Sequence, residues 1–202
     1  MTEGRNSNPG LLAVISGPSG VGKTTIVRAV KERLDAVFSV SATTRTRTHQ
    51  ETDGVDYYFM TTVEFDAMRK KGDFLEHATV FGRNSYGTPR KPVEAALTNG
   101  RLVILEIDVQ GGIQIRQSAP QALLIFITPP SEDVLLKRLQ ARGRDDEDAI
   151  QHRYAQARNE IEKANSSGVY DEFVVNDDLE SAIVQTCSII AERLGRESVQ
   201  QS

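Results

Sequence analysis

Four runs of apolar residues, rich in β-branched side chains, are spread along the chain. They are Leu11–Ser16, 102–108, Leu123–Thr128 and 173–176. Continuous apolar runs of this length are typical of strands that are buried on both faces, as in a parallel sheet. A weaker run, 38–41, provides a fifth strand. The pattern therefore predicts a five-stranded parallel sheet.

Apolar residues at helical spacing separate these strands. The segment 23–34 carries an apolar stripe on one face, as expected of a helix that packs on a sheet. A second helix is predicted over 131–142, with Ser131 as its N-cap and Gly143 as its C-cap. Alternating strands and helices predict an α/β fold, in which helices flank an open sheet.

The last predicted helix, 179–194, contains the only cysteine of the chain, Cys187. Cys187 shares an apolar face with Ile183 and Ile190, so we predict that it is a core residue. A single cysteine cannot form an intramolecular disulfide, and it leaves a cysteine-based zinc site without ligands. These features favour a reducing, cytoplasmic location.

Two longer segments interrupt the alternation. The segment 39–99 is rich in Thr, Arg, Tyr and Gly and is too irregular for one crossover helix, so it is predicted to be an inserted lobe. The segment 138–165 mixes arginines with acidic residues at helical spacing. Taken alone, it favours a solvated, salt-bridged pair of helices.

The composition argues against several classes of function. The chain has 202 residues, of which 39% are hydrophobic, so it can bury a core as one domain. Its net charge of −4 argues against a nucleic-acid partner. No apolar run approaches the roughly 18 residues that cross a bilayer, so no membrane association is expected. A monomer and a homodimer both remain open.

The strongest motif directly follows the first predicted strand. It reads Gly17, Pro18, Ser19, Gly20, Val21, Gly22, Lys23 and Thr24, a complete G-x-x-x-x-G-K-[ST] pattern. In such a phosphate loop (P-loop), backbone N–H groups and a helix N-terminus surround phosphate oxygens, while the lysine reaches the β- and γ-phosphates. The Thr24 hydroxyl is expected to ligate Mg²⁺. The motif predicts a nucleoside triphosphate binder.

Three kinds of protein fit such a loop. A GTPase is suggested by Asp108-Val109-Gln110-Gly111, a D-x-x-G motif, but no N-K-x-D motif for guanine accompanies it. A binding module without chemistry is a second possibility, although it has no use for the intact Lys23-Thr24 pair.

Glu106 and Asp108 stand two apart on a predicted strand and so share a face, where they suit Mg²⁺ or a substrate amino group.

The third possibility is a kinase whose acceptor is itself a phosphate. A nucleoside monophosphate has a second pKa of about 6, so it is mostly dianionic at neutral pH and needs no general base. Catalysis then depends on positioning, Mg²⁺ and arginines that relieve repulsion between two polyanions. The two interrupting segments supply such arginines. None of the three histidines lies in a recognisable catalytic or zinc motif.

Several motifs together resemble the guanylate kinase family, whose members transfer phosphate from ATP to GMP. They are ISGPSGVGKTT, FSVSATTR, DGVDYYF, FLEHA, YGTP, LEIDVQG, RLQARG and VNDDL. The resemblance extends over almost the whole chain. It implies a P-loop NTPase core (about 10–38, 100–130 and 166–195), a GMP-binding insertion (about 39–99) and a lid (about 131–165).

The resemblance also implies roles for single residues. In the family, the guanine base is read by the positions of Ser41, Glu76 and Thr88. The GMP phosphate is held by those of Arg45, Tyr57 and Tyr86, and Glu106 and Asp108 lie beneath the acceptor and Mg²⁺. The ATP side comprises the loop with Thr25, the lid arginines Arg138, Arg142 and Arg153, and Asn176. Mg²⁺ is the implied cofactor, with ATP and GMP as substrates.

One stretch departs from the family pattern. After TTR the family usually runs x-P-R, often P-R-P-G-E, whereas this chain reads Thr46-Arg47-Thr48-His49-Gln50-Glu51. The second phosphate-binding arginine would align with Thr48. Either Arg47 reaches the phosphate through a shift of the loop, which we favour, or Arg45 binds it with less help.

Overall fold

The computed structural model describes residues 10–80, 83–141 and 147–195. The strands are β1 (Leu11–Ser16), β2 (Val37–Phe38), β3 (Ala42–Thr43), β4 (Tyr58–Phe59), β5 (Phe74–Val80), β6 (Asn84–Pro89), β7 (Leu102–Glu106), β8 (Leu123–Thr128) and β9 (Glu172–Val175). The helices are α1 (Lys23–Arg33), α2 (Thr62–Lys71), α3 (Arg90–Thr98), α4 (Val109–Ser118), α5 (Glu132–Gln140), α6 (Glu147–Ser167) and α7 (Leu179–Arg193).

The main sheet has five strands in the order β2-β7-β1-β8-β9, and all its pairings are parallel. The predicted five-stranded parallel sheet is therefore confirmed. Alternate residues of β1 point to opposite layers: Ala13 and Ile15 pack with α1 and α7, whereas Leu12 and Val14 pack with α3 and α4. Cys187 is fully buried in the first layer, as predicted.

A second sheet forms within the predicted insertion, in the order β4-β3-β6-β5. The strand β6 pairs antiparallel with both β3 and β5. Its small core stacks Phe65 on Phe74, with ring centroids 4.5 Å apart. Thr61 and Glu64 form a capping box at the start of α2, which satisfies otherwise unpaired N–H groups. The irregular sequence of this segment thus corresponds to a second sheet combined with the helices α2 and α3.

Two strands of the main sheet end at positions different from those that the sequence predicts. The strand predicted over 102–108 ends at Glu106, because Asp108 is the N-cap of α4 and its carboxylate accepts from Gly111 N–H at 2.8 Å. Asp108 is therefore not on the strand as predicted, although Glu106 and Asp108 still line the same cavity. The fifth strand is present, but its predicted bounds of 38–41 are wrong, since β2 ends at Phe38 and the next strand, β3, joins the other sheet.

The ends of the helix α5 lie closer to their predicted positions. Ser131 is the N-cap of α5, as predicted, and accepts from Val134 N–H at 3.3 Å. The helix ends at Gln140 with Ala141 as its C-cap, earlier than predicted, while Arg142 and Gly143 lie outside the described residues. Within the described ranges, no helix is both long and apolar enough to cross a membrane.

Candidate active site

The P-loop connects β1 to α1. Gly20 and Gly22 have φ angles of 86° and 97°, a region that side chains disfavour. Gly22 precedes α1, and no side chain in the described ranges caps this helix, so its first N–H groups point into the loop. Lys23 Nζ donates to the Gly17 and Pro18 carbonyls at 2.6 and 3.2 Å. The loop surrounds a cavity of about 170 Å³.

Gly22 also fits closely against the chain that follows β9. A Cβ atom added at Gly22 would lie 2.7 Å from Asn176 Nδ2, and that amide donates to the Val21 carbonyl at the same distance of 2.7 Å. Asn176 is buried, with 4% of its surface exposed. Asn176, which the resemblance assigns to adenine binding, therefore packs against the P-loop and supports it.

Gly22→Ala is expected to destabilise the fold by about 2–3 kcal/mol, because it combines an unfavourable φ with a steric clash. Urea denaturation followed by circular dichroism measures this free energy. Gly168→Ala is the matched control, since Gly168 also has a positive φ (65°) but no atom within 4 Å of an added Cβ. Equal losses in the two variants would contradict the clash with Asn176.

Acidic and hydroxyl groups meet beside the loop. Thr24 Oγ1 donates to Glu106 Oε1 at 2.7 Å, which joins the start of α1 to the end of β7. Asp108 lies at the start of α4, and its bond with Gly111 N–H accounts for the D-x-x-G motif as a helix cap. A cavity of about 430 Å³ opens here. It is lined by Lys23, Thr24, Phe38, Ser41, Asp56, Tyr57, Glu106, Ile107 and Asp108.

Glu76 is a buried carboxylate on β5, with 7% of its surface exposed. Thr88 Oγ1, on the neighbouring β6, donates to Glu76 Oε1 at 2.7 Å. Burial raises the pKa of Glu76 to about 7; the charge of Asp108 adds to the rise, and the hydrogen bond from Thr88 opposes it. A Cβ at Gly111 would lie 3.2 Å from Glu76 Oε2, so this glycine leaves room for the carboxylate.

The helix α4 holds the strand that carries Glu76. The Gln114 side chain pairs with both backbone groups of His77, accepting from N–H at 3.1 Å and donating to C=O at 2.9 Å. Ser118 Oγ donates to the Leu75 carbonyl at 2.6 Å. These contacts bracket Glu76 on both sides. Sequence reasoning did not identify either polar residue, because both are separated from β5 by more than thirty positions.

Arg45 lies over aromatic rings in the second sheet. Its guanidinium carbon is 5.5 Å from the Tyr57 ring centroid, and Tyr57 and Tyr86 pack edge to face at 6.0 Å. Both Nη atoms bind the carboxylate of Glu51, one of them at 3.0 Å. The hydrogen bond from Arg45 is the main reason that the pKa of Glu51 falls to about 2.

Glu51 is a further site residue that sequence reasoning missed. Thr48 also binds it, through its backbone N–H and its hydroxyl, both at 2.9 Å from Oε2. The signal was present, since Glu51 occupies the glutamate position of the P-R-P-G-E pattern from which this loop departs. Arg47 is exposed and has no hydrogen bond or ion pair to any residue within the described ranges.

Arg153 on α6 bonds the P-loop directly, whereas Arg138 on α5 reaches the loop through Asn176. Arg138 donates to the Asn176 carbonyl at 2.8 Å, and Arg153 donates to Ser19 Oγ at 2.8 Å. On the outer side, Arg158 forms an ion pair with Glu132 at 3.1 Å. The pair of helices is thus salt-bridged outside, as its composition suggests, and directs two arginines inward. A larger cavity of about 920 Å³ lies behind these helices, and none of the predicted site residues lines it.

Comparison with known proteins agrees with this geometry. The family model for guanylate kinase matches residues 10–193. Guanylate kinases of Thermosynechococcus vestitus and Thermus thermophilus are 50% and 46% identical to the chain, over 87% and 91% of its length and 91% and 82% of theirs.

A solved structure gives the same result. The crystal structure of guanylate kinase from Anaplasma phagocytophilum superimposes with a TM-score of 0.70 at 31% identity, covering 95% of this chain and 90% of that one. This likeness, together with the observed sheet, confirms the predicted P-loop α/β fold. The match extends over both predicted insertions as well as the core, and the chain therefore belongs to the guanylate kinase family.

Proposed function

We propose that this chain transfers the γ-phosphoryl group of ATP to GMP and releases ADP and GDP. The observation that carries the proposal is the cavity of about 430 Å³, which has Lys23 and Thr24 of the P-loop on one side and Ser41 and Tyr57 of the insertion on the other. A donor bound in the loop and an acceptor bound by the insertion would meet across this space. Phosphoryl transfer needs that alignment.

On the acceptor side, the buried carboxylate of Glu76 selects guanine. An ionised Glu76 accepts from guanine N1–H and from its 2-amino group, while the Ser41 hydroxyl donates to O6. The Thr88 hydroxyl donates to O6 only by turning its single O–H away from Glu76 Oε1 when GMP binds. Adenine offers no matching pair of donors on this edge. Because an unpaired buried carboxylate is costly, the wrong base is disfavoured by roughly 10⁴-fold.

The GMP phosphate binds at Arg45, Tyr57 and Tyr86. The cation–π contact at 5.5 Å and the ring contact at 6.0 Å hold these three side chains together. Glu51 orients the guanidinium through both Nη atoms. Arg45 is then the principal acceptor-side cation, and the contribution of Arg47 through a shifted loop stays a prediction.

On the donor side, the loop amides and Lys23 hold the phosphates of ATP. Arg138 and Arg153 neutralise charge as the phosphoryl group moves, and Arg142, outside the described residues, is assigned the same role by the family pattern. Closure of the α5–α6 segment over the cavity excludes water, which would otherwise accept the phosphoryl group. The boundaries of core, insertion and lid remain predictions, as does a cytoplasmic location.

The residues beside the loop suit a magnesium ion. Thr24 Oγ1 and Glu106 Oε1 lie 2.7 Å apart, and both are the hard oxygen ligands that Mg²⁺ prefers. Mg²⁺ usually takes one or two carboxylates and completes its shell with water and substrate phosphates. The described residues contain no cluster of three or more Asp, Glu, His or Cys side chains. A site completed by water and phosphate does not need one, so it fits these residues. Thr24 and Glu106 would hold the ion, which would neutralise phosphate charge.

An ADP-release assay tests the reaction. We expect release with Mg·ATP only when GMP is the acceptor, and not with AMP, CMP, UMP or no acceptor. Release with AMP or UMP would contradict the roles of Ser41, Glu76 and Thr88 while leaving a kinase. Release without an acceptor would indicate an ATPase, and its complete absence would favour a binding module.

A further inference from the structure

The pairing of β5 with β6 is irregular where β5 carries Glu76. The regular pairs on either side of the irregularity are Phe74–Pro89 and His77–Gly87. Two residues of β5, Leu75 and Glu76, therefore lie opposite one residue of β6, Thr88, which makes this site a β-bulge. A bulge bends the strand locally and changes the direction of the side chains that it contains. The bulge thus sets the direction of the buried Glu76 carboxylate.

The bulge lies at the edge of the second sheet. In the order β4-β3-β6-β5, the strand β5 is outermost, and its outer side pairs with no other strand of the described chain. Side chains of α4 bind the backbone there instead. Gln114 accepts from His77 N–H at 3.1 Å and donates to His77 C=O at 2.9 Å, and Ser118 donates to Leu75 C=O at 2.6 Å. The helix therefore takes the place of a neighbouring strand at the two residues that flank Glu76.

Gln114 is chemically suited to this contact. Its amide carries a donor and an acceptor in one plane, so it can satisfy the N–H and the C=O of the same residue, as a paired strand would. An apolar side chain of similar length, such as that of methionine, offers neither bond. Loss of the amide would therefore release His77 and let the bulge rearrange.

The same helix also reaches the carboxylate and the reaction cavity. A Cβ added at Gly111, in the first turn of α4, would lie 3.2 Å from Glu76 Oε2, while Thr88 on β6 donates to Glu76 Oε1 at 2.7 Å. Asp108, the N-cap of α4, lines the cavity of about 430 Å³. The Glu76 carboxylate is thus held between β6 and α4, and Gln114 is the side chain that ties α4 to the strand of Glu76.

We propose that Gln114 is a positioning residue that determines base specificity, because it holds the bulge so that both oxygens of Glu76 face the guanine. The inference rests on the proposed function, since it assumes that Glu76 reads the base. A carboxylate that accepts two parallel hydrogen bonds must be correct in angle as well as in distance, whereas a single bond tolerates rotation. A loosened bulge therefore loses the bond to the 2-amino group and keeps one to N1–H.

Gln114→Met tests this role. We expect kcat/KM for GMP, at saturating Mg·ATP, to fall by about tenfold and mainly through KM, the size of one lost hydrogen bond to a charged group. Inosine monophosphate (IMP) is the comparison substrate, because its base keeps N1–H and O6 but lacks the 2-amino group. IMP should be used almost as well as by the wild type. The preference for GMP over IMP should therefore fall by roughly the same tenfold.

Gln117→Met is the matched control, since Gln117 is an exposed glutamine on the same helix. Its preference for GMP over IMP should equal that of the wild type. Ser118→Ala is a second and milder variant, which removes only the bond to the Leu75 carbonyl, and it should lower the preference by about threefold. Thermal melting shows that each variant is folded.

A double variant separates positioning from a general loss of structure. In a Glu76→Gln chain, Gln114→Met should lower the preference no further, because the carboxylate that it positions is already gone. Equal losses for GMP and IMP in Gln114→Met and Ser118→Ala would overturn the proposal, as would an unchanged preference in both or a further loss in the double variant. A wild type that fails to use GMP, or that uses GMP and IMP equally, would instead contradict the proposed function.

Discussion

Glu76→Gln is expected to lower kcat/KM for GMP by roughly 10³-fold at saturating Mg·ATP. Glutamine keeps the shape of the side chain but offers one acceptor in place of two, and its amide N–H₂ faces the guanine donors. The loss should appear mainly in KM, because the base is bound alike in the ground and transition states. Steady-state kinetics with varied GMP measures it. Glu94→Gln is the control, since Glu94 is an exposed carboxylate on α3. An unchanged GMP preference would mean that the base is read elsewhere.

The same substitution should have the opposite effect on stability. The pKa of Glu76 is about 7 in the folded chain, above its ordinary value of 4.5, so the fold favours the neutral acid. The wild type therefore loses stability as the pH rises from about 4.5 through 7, and Glu76→Gln does not. At pH 8 the variant should be more stable by at most about 3 kcal/mol, and at pH 4.5 the difference should nearly vanish. Urea denaturation at the two pH values measures this; equal differences would contradict the raised pKa.

Lys23→Ala is expected to lower kcat by about 10³-fold, the loss seen when a charge-stabilising group is removed from a reacting phosphoryl or oxyanion. Lys23 is the cation of the P-loop, its ammonium donates to the Gly17 carbonyl at 2.6 Å, and it lines the cavity across which the proposed donor and acceptor would meet. Single-turnover kinetics with saturating ATP and GMP separates this loss from weaker binding.

The fold should survive the removal of Lys23, because the side chain is only half-buried and lies outside both cores of the main sheet. Thermal melting checks this point. Lys31→Ala is the matched control, since Lys31 is an exposed lysine on the same helix, and its turnover should be unchanged. Near-normal turnover in Lys23→Ala would contradict the role given to this residue.

The centre of the main sheet was predictable because β1, β7 and β8 are buried on both faces, whereas only Val174 is buried in the edge strand β9. Burial from both sides demands a continuous apolar run, and such a run stands out in a sequence. At the polar C-terminal edge of the sheet, the pattern of apolar residues did not show where a strand ends and the next helix begins. Asp108 follows an apolar run in either case, and only its bond with Gly111 N–H shows that the helix has begun there.

The P-loop and the family motifs were predictable for another reason. A phosphate site formed by consecutive backbone N–H groups depends on residues that are adjacent in the chain, so its glycines and lysine appear as one short pattern. The sequence by itself therefore determined the fold class, the position of the P-loop and the family.

The tertiary structure decided the contacts between residues that are distant in the chain. Arg153 meets Ser19 across 134 positions, and Thr24 meets Glu106 across 82. The role inferred for Glu51 also emerged only from the structure, although its partner Arg45 is just six positions away: an isolated acid in a polar segment looks like a solvated surface residue until its partner is known. The environment of Glu76 also emerges only in the folded chain, because the pKa of a carboxylate depends on burial and neighbouring charges that no local pattern specifies.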